Sequence, residues 1–232
     1  MGETRLQDII GVIFDFNGTM FFDSDKHIRA WTSYVEEVTG CRPDTRDIDK
    51  YIIGKSSRQI LEHFLGYEIS EDMLEQFSEE KEGIYRRLCS DDKDNLALAP
   101  GLVKFLDYLA EYDIPRTIAT TTSLSNVMYY FEIFDLYRWF KPEDLVYRDR
   151  RIREKPYPDM YIVACRMLHK EPQRCLVFED SVTGITAAEA AGIRHIVAVK
   201  GDNPNLSTDG FNYIQAVIND YTELNGTLDI LA

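Results

Sequence analysis

Val12-Ile13-Phe14-Asp15-Phe16-Asn17-Gly18-Thr19-Met20 is the stretch whose reading decides the fold. Three apolar residues run straight into a carboxylate, and a glycine turn follows at once. Ile9 to Phe14 therefore reads as a buried parallel strand with Asp15 just past its carboxyl end, where open α/β sheets place their ligands. Pro115 to Thr120, Arg174 to Phe178 and His195 to Val199 read as further buried strands. Helical patterns separate them at Gly101 to Tyr112, Ser123 to Phe134, Pro158 to Leu168 and Ser181 to Ala191, the last closed by Gly192. This alternation predicts an α/β fold with a doubly wound, Rossmann-like parallel sheet.

Roughly a hundred residues separate the first strand from the second, far too many for one βα crossover. Lys26 to Thr39, Ser57 to Leu65 and Glu71 to Leu88 carry helical periodicity with little strand signal. The expected organisation is a core of residues 1–22 and 95–232 interrupted by an all-helical insert, residues 23–94. Its two connections lie beside the Asp15 turn, the anatomy of a lid.

Composition narrows the function. Asp+Glu number 40 against 26 Lys+Arg, a net charge of −14, and that field repels phosphate polymers and anionic lipid. Nucleic acid and membrane are therefore not expected partners, and no apolar run reaches membrane-spanning length. Cys41, Cys89, Cys165 and Cys175 form no CxxC pair, so reduced thiols are expected. The N-terminus shows no basic segment leading into an apolar run, which fits a cytoplasmic protein.

Four strand-end pieces carry chemistry. Asp15-Phe16-Asn17-Gly18-Thr19 is the first. Ile118-Ala119-Thr120-Thr121-Thr122 offers hydroxyls and N–H groups ahead of a helix, suited to phosphate oxygens. Lys155-Pro156-Tyr157-Pro158 displays one lysine on a loop stiffened by prolines, and Phe178-Glu179-Asp180-Ser181 places paired acids between strand and helix. Singly, each has an ordinary structural reading as a turn, cap or rigid loop. Together, Asp15, Glu179 and Asp180 would repel one another unless a divalent cation sat among them. Oxygen-only donors point to Mg²⁺, and Lys155 supplies a fixed positive charge.

This ordering strongly resembles the haloacid dehalogenase-like superfamily, in the C1-capped subfamily of β-phosphoglucomutase and phosphoglycolate phosphatase relatives. The resemblance implies that Asp15 is the nucleophile that forms an aspartyl-phosphate. It implies metal ligation by Asp15, Asp180, Glu179 directly or through water, and the main-chain oxygen of Asn17. Phosphate would be bound by Thr120, Thr121, the Gly18 turn and Lys155, and the helical insert would be the C1 cap. His27 and Lys81 match cap positions of the mutase, whereas its phosphate-gripping arginine falls on Ser57, with Arg58 one place later.

The departure is Asn17. Phosphatase and mutase members carry there an aspartate that protonates the leaving oxygen, and an amide cannot take up a proton. Glu179-Asp180 disfavours dehalogenation. Three readings remain: a substrate with a good leaving group such as an acyl phosphate, a slow or ligand-binding protein, or a substitution that traps an intermediate. The expectation is Mg²⁺-dependent phosphoryl transfer, most simply hydrolysis of a small phosphorylated metabolite such as a sugar phosphate, slowed by Asn17. A sugar phosphomutase and a weakened phospholigand-binding protein are the alternatives, and a monomer or small homo-oligomer is expected.

Overall fold

The computed structural model describes residues 11–203 and 205–224. Its β1 (Gly11–Phe14), β2 (Arg116–Ile118), β3 (Cys175–Glu179), β4 (His195–Val199) and β5 (Ile214–Ile218) form one sheet in the order β2-β1-β3-β4-β5. Every pairing is parallel. Ile9 and Ile10, expected to open β1, lie outside the described residues. β1 is wholly buried because both of its faces are covered, and the alternation of side chains along a strand assigns each face its own core. Ile13 and Val177 join Met160, Ala164, Ile185 and Ala188, which come from α7 (Asp159–Met167) and α8 (Val182–Ala190). On the other face Phe14 stacks on Phe178 at 5.1 Å and meets Phe105 of α5 (Leu102–Glu111) edge-on at 6.2 Å. These two layers make the sheet doubly wound.

The chain passes from β1 to one side for β2, then to the other side for β3. The β1/β3 boundary is thus the topological switch point, where two connections diverge and open a crevice at the carboxyl edge. α5, α6 (Leu124–Ile133), α7 and α8 fall inside the expected helical spans. Gly192 stands just past α8 with φ +87°, the left-handed position a terminating glycine favours. β5 is an addition to the expected strands. It lies at the sheet edge with alternate residues open to solvent, so it lacks the continuous apolar run of a buried parallel strand.

Backbone contacts divide the chain into two compact units. The first holds the sheet and is interrupted between Phe22 and Ala97; the second, Asp23–Leu96, is entirely helical among the described residues. The return boundary lies two residues beyond the expected residue 94, because Asn95 is tied back to Asp92 through its N–H at 3.2 Å and its side chain at 2.8 Å. In this unit α1 (Ser24–Thr39), α3 (Ser57–Leu65) and α4 (Glu71–Asp91) bury Trp31, Tyr34, Val35, Ile60, Leu61 and Tyr85. The very short α2 (Thr45–Asp47) runs into a wide turn at Ile48–Ile52, an irregular stretch without a helical repeat long enough to read. Ser56 and Ser70 cap α3 and α4 by accepting from Gln59 and Met73 N–H. Lys26 reaches Asp92 at 3.0 Å and so joins the start of α1 to the end of α4.

Gly83 lies in the middle of α4, and a methyl group added there meets no atom within 4 Å. Helical glycine retains excess freedom in the unfolded chain, so Gly83→Ala should stabilise the helical unit by about 0.5–1 kcal/mol. Chemical denaturation that shows no gain in midpoint would refute this.

Candidate active site

The site begins with the sheet register. Phe14 pairs with Phe178, so Asp15 and Glu179 leave adjacent strands at the same level, and Asp15 N–H continues the ladder to Phe178 O at 3.0 Å. The chain then folds back sharply. Phe16 O accepts from Thr19, Met20 and Phe21, and Gly18 N–H donates to Phe21 O at 2.7 Å. Gly18 has φ +78°, and a Cβ there would run into the Asp180 carboxylate, so only glycine closes this turn against its neighbour.

Lys155 joins the first and third motifs. Its ammonium donates to Asp15 Oδ1 and Glu179 Oε1, both at 2.5 Å, and its side chain is 5% exposed. Burial works against that charge, but the two carboxylates outweigh it and push the lysine above its ordinary value. Glu179 accepts as well from Tyr161 OH at 2.8 Å, Ser181 N–H at 3.1 Å and Ser181 Oγ at 3.0 Å. The same Ser181 hydroxyl caps α8 by accepting from Gly184 N–H. Tyr161 also lies under the ammonium, with the Lys155 nitrogen 5.0 Å from its ring centre. Four donors thus fix one carboxylate, which in turn fixes the lysine.

Asp180 receives Thr19 Oγ1 at 3.0 Å. Burial, followed by the Glu179 and Asp15 carboxylates, pushes its carboxyl well above the ordinary range. Oxygens of Asp15, Glu179 and Asp180 lie within 4.8 Å of one another. Three crowded acids with one lysine between them carry surplus negative charge, and their all-oxygen donor set suits a hard divalent cation. The residues present therefore fit a metal.

Thr120 follows β2. Ala119 N–H donates to Phe14 O at 2.8 Å and Thr120 N–H to Val146 O at 2.9 Å, which seat the threonine at the same edge as Asp15. Its hydroxyl accepts from Thr122 N–H at 3.3 Å, and Thr121 lies between them on the approach to α6. Asn17 Nδ2 donates to Tyr130 OH at 2.8 Å, and the Tyr130 ring stacks on Phe16 at 4.2 Å.

In the helical unit, His27 stacks on Tyr85 at 4.1 Å. Lys81 donates to His27 Nδ1 at 3.1 Å, so the ring proton sits on Nε2, which faces Asp23 at 3.2 Å. Tyr85 OH donates to the same Asp23 oxygen. Arg58 takes a structural place: it binds Glu62 at 3.0 Å, Ile69 O at 2.6 Å and Glu71 at 2.6 Å, tying α3 to the start of α4.

Tyr130 and Tyr161 are residues of this constellation that sequence reading passes over, while Thr19 and Ser181 stand inside the strand-end pieces without a partner assigned. The tyrosines lie on buried helical faces, where an aromatic reads as core. Gly184 gave a usable signal, a glycine inside a helix five residues past Glu179. A Cβ there would fall within the Glu179 carboxylate.

The likeness to known proteins runs the length of this constellation. A profile of haloacid dehalogenase-like hydrolases matches residues 9–192. Hexitol phosphatase A of Escherichia coli is 28% identical over 199 residues, 85% of this chain and 87% of that protein. A phosphorylated carbohydrates phosphatase of Thermotoga maritima is 29% identical over 192 residues, 81% of this chain and 84% of its own. Among solved structures, a family IA variant 3 hydrolase of Entamoeba histolytica superposes with a TM-score of 0.85 at 29% identity, covering 96% of this chain and 99% of that one. Among the described residues no helix is long and apolar enough to cross a membrane. With the profile spanning both sides of the helical insert and all four strand-end motifs, the chain belongs to the haloacid dehalogenase-like hydrolases.

Proposed function

We propose that this enzyme hydrolyses a small phosphorylated metabolite through an aspartyl-phosphate on Asp15. The observation that carries the reading is the Lys155 ammonium held 2.5 Å from both Asp15 and Glu179, beside Asp180. Asp15 and Asp180 would hold Mg²⁺ together with the main-chain oxygen of Asn17, and Glu179 would act on it directly or through water. When bound, the cation offsets the carboxylate charge and polarises a phosphoryl oxygen. Lys155 keeps Asp15 ionised and attracts the phosphoryl group, and Thr120 with the Thr121 N–H holds its oxygens. Sugar phosphates are favoured by the names of the two relatives that act on phosphorylated polyols and carbohydrates. Hydrolysis is favoured over mutase chemistry because Arg58 is engaged inside the helical unit. The helical unit itself would serve as the cap, with His27 and Lys81 as its candidate substrate-binding residues.

The test is to trap the intermediate. Incubation with acetyl phosphate and Mg²⁺, followed by acid quench and peptide mass spectrometry, should place one phosphoryl group on Asp15. A chelator added beforehand should remove it. Phosphate on another residue, or labelling indifferent to the chelator, would overturn the proposal.

A further inference from the structure

Phosphoryl transfer from an alcohol phosphate expels a strongly basic oxygen, and a proton delivered to it in the transition state contributes typically ~10²–10⁴-fold. Among the described residues of the sheet-bearing unit, Asn17, Lys155, Asp180 and the two histidines are groups that could be asked for that proton. Asn17 stands two residues past Asp15 in the turn that follows β1, and its amide neither gives nor takes a proton. It is seated by its Nδ2 on Tyr130 OH at 2.8 Å, and Tyr130 is itself 1% exposed and stacked on Phe16. Lys155 is engaged by Asp15 and Glu179, each at 2.5 Å. Asp180 belongs to the acidic cluster that would carry the cation. The histidines of the sheet-bearing unit stand elsewhere: His195 opens β4, and His169 lies between α7 and β3, so both sit at the amino edge. In the sheet-bearing unit the candidate phosphate-handling groups stand together, and none of these described side chains offers the leaving oxygen a proton.

We infer that the phosphoryl donor of this enzyme is an acyl phosphate, the mixed anhydride of a small carboxylic acid and phosphoric acid. This rests on the aspartyl-phosphate reading above and narrows its substrate to a leaving group that departs unprotonated. A carboxylate oxygen of Asp15 forms a bond to phosphorus. The bond from phosphorus to the acyl oxygen breaks, and its electron pair leaves with the carboxylate, a stable anion that needs no proton. Water then attacks the phosphorus of the aspartyl-phosphate. Asp15 departs as a carboxylate, again without a proton, and both protons of the water stay on the released dihydrogen phosphate. Neither step expels a basic oxygen, so the amide at position 17 obstructs neither.

The test is kcat/KM, with Mg²⁺ present, for acetyl phosphate, phenyl phosphate and a hexose 6-phosphate. Acetyl phosphate is the more reactive donor in water too, so the diagnostic quantity is how the acyl-to-alkyl ratio changes with residue 17. Asn17→Asp should shrink that ratio by about 10²–10⁴-fold, by raising the hexose 6-phosphate rate. An unchanged ratio would overturn the inference. A second measurement needs only the natural protein: with no proton in flight, the solvent deuterium effect on phosphoenzyme formation from acetyl phosphate should be close to unity. A large effect would count against the inference. If no donor labels Asp15 at all, the aspartyl-phosphate reading itself fails. Labelling by acyl and alkyl donors at equal rates leaves that reading standing and removes only the substrate class.

Discussion

Lys155→Met is expected to lose both turnover and stability, whereas Asp15→Asn loses turnover alone. The ammonium is the cation placed among Asp15, Glu179 and Asp180, with 5% of its side chain exposed and two contacts of 2.5 Å. Removing it leaves Glu179, wholly buried, without its counter-charge. Breaking a buried pair from one side costs about 3–5 kcal/mol, which in a chain of this size lowers Tm by about 10 °C. On the proposed role of Lys155 at the phosphoryl group, loss of its charge should lower kcat by about 10²–10³-fold. Asp15→Asn removes one of the crowded carboxylates and leaves Lys155 bound to Glu179, so Tm should hold or rise while turnover falls by about 10⁴-fold or more. The pH dependence follows from the direction of the lysine's shift. A lysine raised in the folded state contributes fully below its unfolded value, and that contribution is lost only as pH rises through the raised one. The Tm gap between the natural protein and Lys155→Met should therefore stay constant through neutral pH. In the double variant Lys155→Met/Glu179→Gln the lost stability should largely return without activity. Thermal denaturation of the four proteins decides it, and a Lys155→Met protein as stable as the natural one would refute the bridging role.

The two carboxylates are legible in the sequence because each stands where an apolar run stops: Asp15 follows Phe14, and Glu179 ends the run from Cys175. Lys155 is legible because it stands just before two prolines that lead into a helix start. A polar residue at such a point has few structural reasons to be there, so several of them in order reinforce one another. Their partners were not legible. Tyr161 is 18 residues from Glu179 and Tyr130 is 113 from Asn17, and nothing in a helical period tells a buried tyrosine whose hydroxyl holds a carboxylate of the candidate site from one that fills space. Thr19 reads as part of a turn, and its bond to Asp180 spans 161 residues. The sheet shows the same divide. β1, β3 and β4 are buried throughout and announce themselves by apolar runs; β5, half exposed at the edge, does not. Arg58 marks the limit of motif spacing: a one-residue offset placed it against Glu62 and Glu71, a pairing set by where α4 begins.

Gly184→Ala is expected to destabilise the sheet-bearing unit by about 3 kcal/mol or more, the opposite sign to Gly83→Ala. By helix propensity the two substitutions are equivalent, each worth about 0.5–1 kcal/mol in favour of alanine. Their surroundings differ. The Gly83 methyl would enter open space, whereas the Gly184 methyl would fall inside the Glu179 carboxylate. That carboxylate cannot swing aside freely, because Lys155, Tyr161 and both donors of Ser181 hold it. Moving it breaks those bonds or forces α8 away from β3, and overpacking of this kind costs about 1–3 kcal/mol before the buried lysine loses its partner. A Tm decrease of about 6–12 °C should accompany a loss of turnover, since the displaced Glu179 releases Lys155 from its place beside Asp15. Shortening the obstacle discriminates this account from a general intolerance of the helix. Glu179→Asp withdraws the carboxylate by one methylene, so Gly184→Ala should be less harmful in that background than in the natural protein. An equal Tm decrease in both backgrounds, or a gain matching that of Gly83→Ala, would show that Glu179 does not occupy the space beside Gly184.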